Sequence, residues 1–230
     1  MRILERPWII AHRGAGLRHR ENTLEAFAAA GGLGADAVEL DVRRTADGVL
    51  VVHHDASVPG FGLLVDHAFD DVRASLAWVP TLSEALAACD PLWVNVEIKN
   101  SPFEPDWDPE DTVAATIGAL VPHGTLVSSF NPATVERARA SGPVRTGYLV
   151  FEGMDPADFL DAAVSHDTLH VAVADLPPGK DREIVAAASE RGLPVIVYTT
   201  DEPDEIERFA AAGVAGVITN APDVAAAVLS

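Results

Sequence analysis

The sequence predicts an α/β protein built as a (β/α)8 TIM barrel, with a β-hairpin extension after strand 2 and a shortened insertion before helix 2. Three observations point there. Apolar strand-like runs alternate with Ala-rich helical patterns, the alternation closes at eight units, and most runs are almost continuously apolar. Continuous apolar runs are what parallel strands covered on both faces require. A length of 230 residues suits one such barrel better than two domains. The expected organisation is one domain over 1–230, with 55–80 a short insertion covering the pocket. An open doubly wound sheet is the alternative, but no Gly-x-Gly-x-x-Gly follows the first strand.

The predicted strands lie at 8–11, 37–42, 93–98, 125–129, 144–150, 169–174, 194–199 and 214–219. Between them, Asn22-Thr23-Leu24-Glu25 opens a helix with a capping residue and an early acid. Thr81-Leu82-Ser83-Glu84 matches a capping box. Further helices are expected at 110–120, 132–140, 156–163, 182–191, 202–212 and 222–229. An extra strand-like piece at 49–53 follows Asp47-Gly48, a strong two-residue hairpin turn. With those two residues as the loop, Asp41 falls opposite His54, and Glu39 shares their face.

Composition narrows the function. The formal charge of −19 repels nucleic acid, and no basic stripe offsets it. Any phosphate site must therefore carry local positive charge from a metal, Arg or Lys. Cys89 is the only cysteine, so no intrachain disulfide forms. The first ten residues are interrupted by Arg2, Glu5, Arg6 and Pro7, and no long uncharged apolar stretch offers a membrane span. A cytoplasmic protein acting on a small molecule is expected, with no nucleic-acid partner and no integral membrane segment; the oligomeric state is left open.

Four strings end or follow strand-like runs: His12-Arg13-Gly14, Glu39-Leu40-Asp41, His53-His54-Asp55 and Glu97-Ile98-Lys99. If those strands are neighbours, two histidines, three carboxylates and two cations meet at one mouth, at the barrel end where active sites are built. Each carboxylate alone would be an ordinary ion-pair partner. Glu39, Asp41 and Glu97 together would repel one another without a cation between them, and a hard divalent ion such as Mg²⁺ or Ca²⁺ prefers such oxygens. Zinc is disfavoured, since neither His-Glu-x-x-His nor paired cysteines occur. His12 and His54 are the candidate proton carriers, and the other six histidines read as structural or surface residues. Arg13 and Lys99 could bind phosphate or simply pair with the carboxylates. Gly14 and Gly16 admit either a close ligand or a tight turn. Glu21 either orients His12 or caps the first helix. Ser129-Phe130 and Tyr198-Thr199-Thr200 end later strands and could line the pocket, with Tyr198 equally suited to the core.

These strings, with Glu21-Asn22-Thr23, Thr45-Ala46-Asp47-Gly48, Pro80 to Glu84 and Gly216 to Pro222, resemble the glycerophosphodiester phosphodiesterase family over nearly the whole chain. The resemblance implies a (β/α)8 barrel that hydrolyses glycerophosphodiesters to glycerol 3-phosphate and an alcohol with a divalent cation, Mg²⁺ or Ca²⁺ with Mn²⁺ as a further candidate. It implies His12 and His54 as the acid–base pair, Glu39, Asp41 and Glu97 as metal ligands, and Arg13 and Lys99 on the phosphate. Phe130 and Tyr198 are expected to line the substrate site, with Glu21 supporting it. A first attack by the substrate's own glycerol hydroxyl, giving a cyclic intermediate, is also implied. The chain departs from the family in its short 56–79 insertion, in Tyr198 where Trp is frequent, and in Asn220 where Asp is common. Two rivals remain at this level: a lysophospholipase D or sphingomyelinase-D-like lipid enzyme with 58–65 as an apolar rim, and a barrel that binds a phosphometabolite without cleaving it.

Overall fold

In a computed structural model describing residues 5–230, the apolar runs become strands that hydrogen-bond edge to edge until the last meets the first. Residues 1–4, part of the N-terminal stretch read above, lie outside the described residues. Among the described residues eight parallel strands close the barrel: β1 (Trp8–His12), β2 (Ala37–Arg44), β6 (Trp93–Ile98), β7 (Leu126–Ser129), β8 (Arg145–Leu149), β9 (Thr168–Ala172), β10 (Val195–Tyr198) and β11 (Gly216–Thr219). β1 pairs with both β2 and β11, which leaves this ring no free edge.

Period-2 alternation divides each strand between two environments. In β1, Ile9 and Ala11 meet the helices while Trp8, Ile10 and His12 face the barrel interior. The interior is apolar at the bottom, where Trp8, Ile10, Ala37, Ile196 and Ile218 pack together. Outside, one apolar layer spans β2, β6 and β7 with α1 (Leu24–Ala30), α3 (Leu82–Cys89), α4 (Thr112–Leu120) and α5 (Pro132–Ser141). A second spans β8 to β11 with α6 (Pro156–Ala162), α7 (Asp181–Glu190), α8 (Pro203–Ala212) and α9 (Pro222–Val228). Thr23 caps α1 by accepting from the Ala26 amide, and Thr81 with Glu84 forms the expected capping box on α3.

The hairpin after β2 corrects the predicted register. β3 (Leu50–Val52) pairs antiparallel with β2 so that Val42 meets Val52 and Arg44 meets Leu50. The Thr45 amide donates to Val49 O, and Gly48 sits at φ +80°. The loop is therefore three residues with glycine in the left-handed position, not the two-residue turn expected. This slip of one residue puts His53, not His54, opposite Asp41, with the His53 amide donating to Asp41 O.

Segment 55–80 holds β4 (Ser57–Val58), β5 (Gly62–Leu63) and α2 (Phe69–Ser75), a helix the sequence reading missed. Val58, Leu64, Val72 and Val79 bury themselves against Val51 of the hairpin. The apolar stretch 58–65 thus packs into a local core, and none of its residues lines the cavities at the barrel mouth. No described helix is long and apolar enough to cross a membrane.

Candidate active site

Register brings three of the four charged strings together. Parallel pairing sets His12 beside Glu39, Glu39 beside Asn95, and Asp41 beside Glu97. These are inward positions, so their side chains converge above the apolar floor. One oxygen from each of Glu39, Asp41 and Glu97 lies within 4.8 Å of the others, and all three residues are buried. Glu39 and Glu97 line a cavity of about 200 Å³ that also contacts His12, Arg13, His54, Lys99, Phe130, Tyr198 and Thr199. A second cavity of about 250 Å³ shares His54, Glu97, Lys99 and Phe130 and continues past Ser129 to Phe103 and Phe151.

His54 reaches the cavity although the register slips, because β3 has ended at Val52 and the chain bends at His54. Its Nδ1 meets the Asp55 carboxylate at 2.7 Å. His53 points elsewhere, as alternation predicts, against the Trp78 ring. The bend is pinned by Arg43, which lies two residues beyond Asp41. This almost wholly buried guanidinium donates to His54 O at 2.8 Å, to both oxygens of Asp106 at 2.7 Å and to Glu104 at 3.1 Å.

The surroundings push the three carboxylates in different directions. Burial opposes ionisation of Asp41, but Lys99 at 3.1 Å, Arg13 at 3.3 Å, His54 and the Asn22 amide outweigh it and hold its pKa far below the usual carboxylate range. Burial, then the charges of Asp41 and Glu97, push Glu39 well up. Glu97 is raised by burial despite Lys99 at 2.5 Å. Burial works against the Lys99 ammonium, yet Glu97 and Asp41 hold its proton more tightly than usual. Burial lowers both histidines, with Arg13 adding to the effect on His12 and Lys99 to that on His54.

Three carboxylates against Arg13 and Lys99 leave one negative charge, and the buried Glu39 Oε1 has no hydrogen-bond partner among the described residues. Oxygen donors, a charge deficit and an orphaned carboxylate oxygen fit a hard divalent cation.

Smaller assignments shift. Glu21 neither orients His12 nor caps α1: its carboxylate accepts from Arg13 Nη1 at 3.0 Å. Gly14, at φ +86°, serves a tight turn, since a Cβ there would lie 2.8 Å from Ala26. Tyr198 does both things considered for it, its ring lining the cavity while its hydroxyl donates to Val150 O. Thr200 is buried and donates to Glu205. Sequence reasoning missed Asn22 and Arg43 as site supports. Asn220, noted only as a departure from the family pattern, brings its Oδ1 to 2.7 Å from His12 Nδ1. Arg43 could have been found, because it shares the inward face of Glu39 and Asp41.

Comparison with known proteins agrees with this geometry. The family model described as "Glycerophosphoryl diester phosphodiesterase family" matches residues 12–224. A glycerophosphodiester phosphodiesterase of Caldanaerobacter subterraneus subsp. tengcongensis is 30% identical, covering 94% of each chain. The crystal structure of a glycerophosphodiester phosphodiesterase from Thermotoga maritima superposes with a TM-score of 0.82 at 24% identity, over 96% of this chain and 98% of that one. A phosphodiesterase from Oleispira antarctica, in complex with the product sn-glycerol-3-phosphate, gives 0.82 at 22% identity, over 97% and 96%.

Proposed function

The chain belongs to the glycerophosphoryl diester phosphodiesterase family, and from that premise we propose that it hydrolyses glycerophosphodiesters to glycerol 3-phosphate and an alcohol. His12 and His54 form the acid–base pair, and Glu39, Asp41 and Glu97 hold a divalent cation, Mg²⁺ or Ca²⁺ with Mn²⁺ as a third candidate. The observation that carries this reading is the meeting of two imidazoles, two cations and the buried carboxylates of Glu39 and Glu97 around one cavity, with the Asp41 carboxylate within 4.8 Å of both.

Glu39, Asp41 and Glu97 would hold the cation, which would supply polarisation of a phosphate oxygen and a lowered pKa for the attacking hydroxyl. Arg13 and Lys99 offset the charge that builds on phosphorus, Arg13 as a fork and Lys99 as a point charge. One imidazole takes the proton of the attacking hydroxyl while the other protonates the departing alkoxide as its P–O bond breaks. The attacking group is the substrate's own glycerol hydroxyl, and water then opens the cyclic phosphodiester. Phe130 and the Tyr198 ring wall the site, while Glu21 steadies Arg13. The second cavity, with Phe103, Phe130 and Phe151, receives the leaving alcohol. Residues 1–230 act as one catalytic domain. Segment 55–80 flanks its mouth, tied to the loop after β1 by the Arg20 guanidinium 3.4 Å above the Trp78 ring.

The test is release of glycerol 3-phosphate from glycerophosphocholine, with Mg²⁺, Ca²⁺ or Mn²⁺ and with EDTA. Undiminished release in EDTA, or in Glu97→Ala or His54→Ala, overturns the reading. Preferred turnover of lysophosphatidylcholine would move the chain to the lipid-directed class.

A further inference from the structure

His12 needs one particular nitrogen facing the cavity, and the residues that decide which one sit at the far end of the chain. Asn220 follows β11, and its Oδ1 lies 2.7 Å from His12 Nδ1. A side-chain amide can be turned either way, so that contact alone leaves the imidazole tautomer open. Asp201 removes the ambiguity. Its Oδ2 accepts from Asn220 Nδ2 at 3.0 Å, and its Oδ1 accepts from the Asn220 amide at 2.6 Å and from Thr219 Oγ1 at 2.8 Å. An ionised carboxylate only accepts, so the NH₂ of Asn220 must face Asp201 and its carbonyl oxygen must face His12. That oxygen also only accepts, so His12 carries its proton on Nδ1. Its Nε2, 4.0 Å from Glu39 Oε2, then presents a lone pair to the cavity.

We propose that Asp201 and Asn220 are the positioning pair of His12: the carboxylate orients the amide, and the amide holds the imidazole as the Nδ1–H tautomer with Nε2 aimed at the substrate. The activity arm of this proposal rests on the role given to His12 above; the tautomer does not. A carboxylate at 220 would face Asp201 across the same 3.0 Å and repel it. Exchanging the two side chains restores the pairing, because an amide at 201 donates to a carboxylate at 220, which still accepts from His12.

The experiment is ¹⁵N NMR of histidine side chains in the Mg²⁺-supplemented protein at a pH where imidazole is neutral, with the His12 signal assigned by its loss in His12→Gln. Native protein shows Nδ1–H. Asn220→Leu loses that preference, and kcat falls about 10²-fold with KM nearly unchanged. Asn220→Asp loses about tenfold or more, and the exchange Asp201→Asn/Asn220→Asp returns kcat to within about threefold of native and restores the Nδ1–H pattern. The proposal is overturned if Asn220→Leu keeps the pattern, or if the exchange restores the Nδ1–H pattern no better than Asn220→Asp alone. Should Asn220→Leu fail to fold, the exchange decides. A shifted tautomer with unchanged kcat upholds the pair and instead removes His12 from the reaction, so the two failures are distinct.

Discussion

The two halves of this barrel contribute different kinds of surface to one cavity. β1, β2, the hairpin and β6 supply His12, Arg13, Glu39, His54, Glu97 and Lys99, while the lining residues described from β7 to β11 are Phe130, Leu149, Tyr198, Thr199 and Ile218. Both halves are built from similarly apolar strands on similar helical layers. The difference lies in how charge is tolerated inside a protein. A buried charge must be paired, so the charges cluster where they can pair one another, as Asp41 does with Arg13 and Lys99. Among the described residues the opposite wall is lined by none that is charged, and a weakly polar wall strengthens electrostatic interactions across the cavity. One half therefore gathers the charged and titratable groups, and the other surrounds them with a weakly polar wall.

The largest effects should come from removing charge on the first half. Chelation with EDTA, or Glu97→Ala, should lower glycerol 3-phosphate release by about 10³-fold, the loss of several kcal/mol of charge stabilisation. His54→Ala should cost 10²- to 10⁴-fold, read as kcat at saturating substrate. Equal losses from truncating Leu149 or Ile218 would erase the contrast between the halves.

Next comes Arg43, whose role is support. Arg43→Ala leaves the buried Asp106 carboxylate without its two bonds and frees the His54 carbonyl. A destabilisation of about 3 kcal/mol is expected in urea unfolding. Because Arg43 also fixes the bend at His54, kcat should fall even at temperatures where the variant is fully folded.

Much of the fold and the charged set was legible, because both follow from short-range periodicity. His12, Glu39, Asp41 and Glu97 sit at inward positions near strand ends, and strand alternation with a parallel register is enough to unite them. What escaped was set by geometry that periodicity does not encode. The hairpin register depended on whether Gly48 closed a two- or three-residue loop. The helix Phe69–Ser75 begins at Ala68, which offers no capping side chain. The Asn220–His12 contact joins residues 208 apart, brought together by ring closure through β11 and β1.

The carboxylate cluster also predicts how stability responds to pH. Glu39 and Glu97 have folded pKa values above their ordinary 4.5, so the folded chain binds protons more tightly than the unfolded one. Without metal, stability contributed by these two groups falls as pH rises from about 4.5 through their folded values. Asp41 acts oppositely: its depressed pKa gives stability that is present above 3.8 and lost as pH falls through the folded value. A cation that neutralises the cluster should offset the first trend. Added Mg²⁺ should raise Tm more at pH 8 than at pH 5 in the native chain, and Glu39→Gln/Glu97→Gln should abolish that difference.

The smallest effects belong to the second half, where two aromatic residues sharpen the comparison. Phe130 packs against Phe151 at 4.8 Å and edge-on against Tyr198. Phe130→Ala removes a wall but no charge, so KM should rise about tenfold, the loss of roughly 1.4 kcal/mol of apolar contact, with kcat nearly constant. Tyr198→Phe keeps the ring and deletes only the hydroxyl that donates to Val150 O. It should cost about 1 kcal/mol of stability and leave both kinetic constants within about twofold of native. A large fall in kcat for Tyr198→Phe would mean that the hydroxyl leaves Val150 to act on substrate, and the uncharged half would then share in the chemistry.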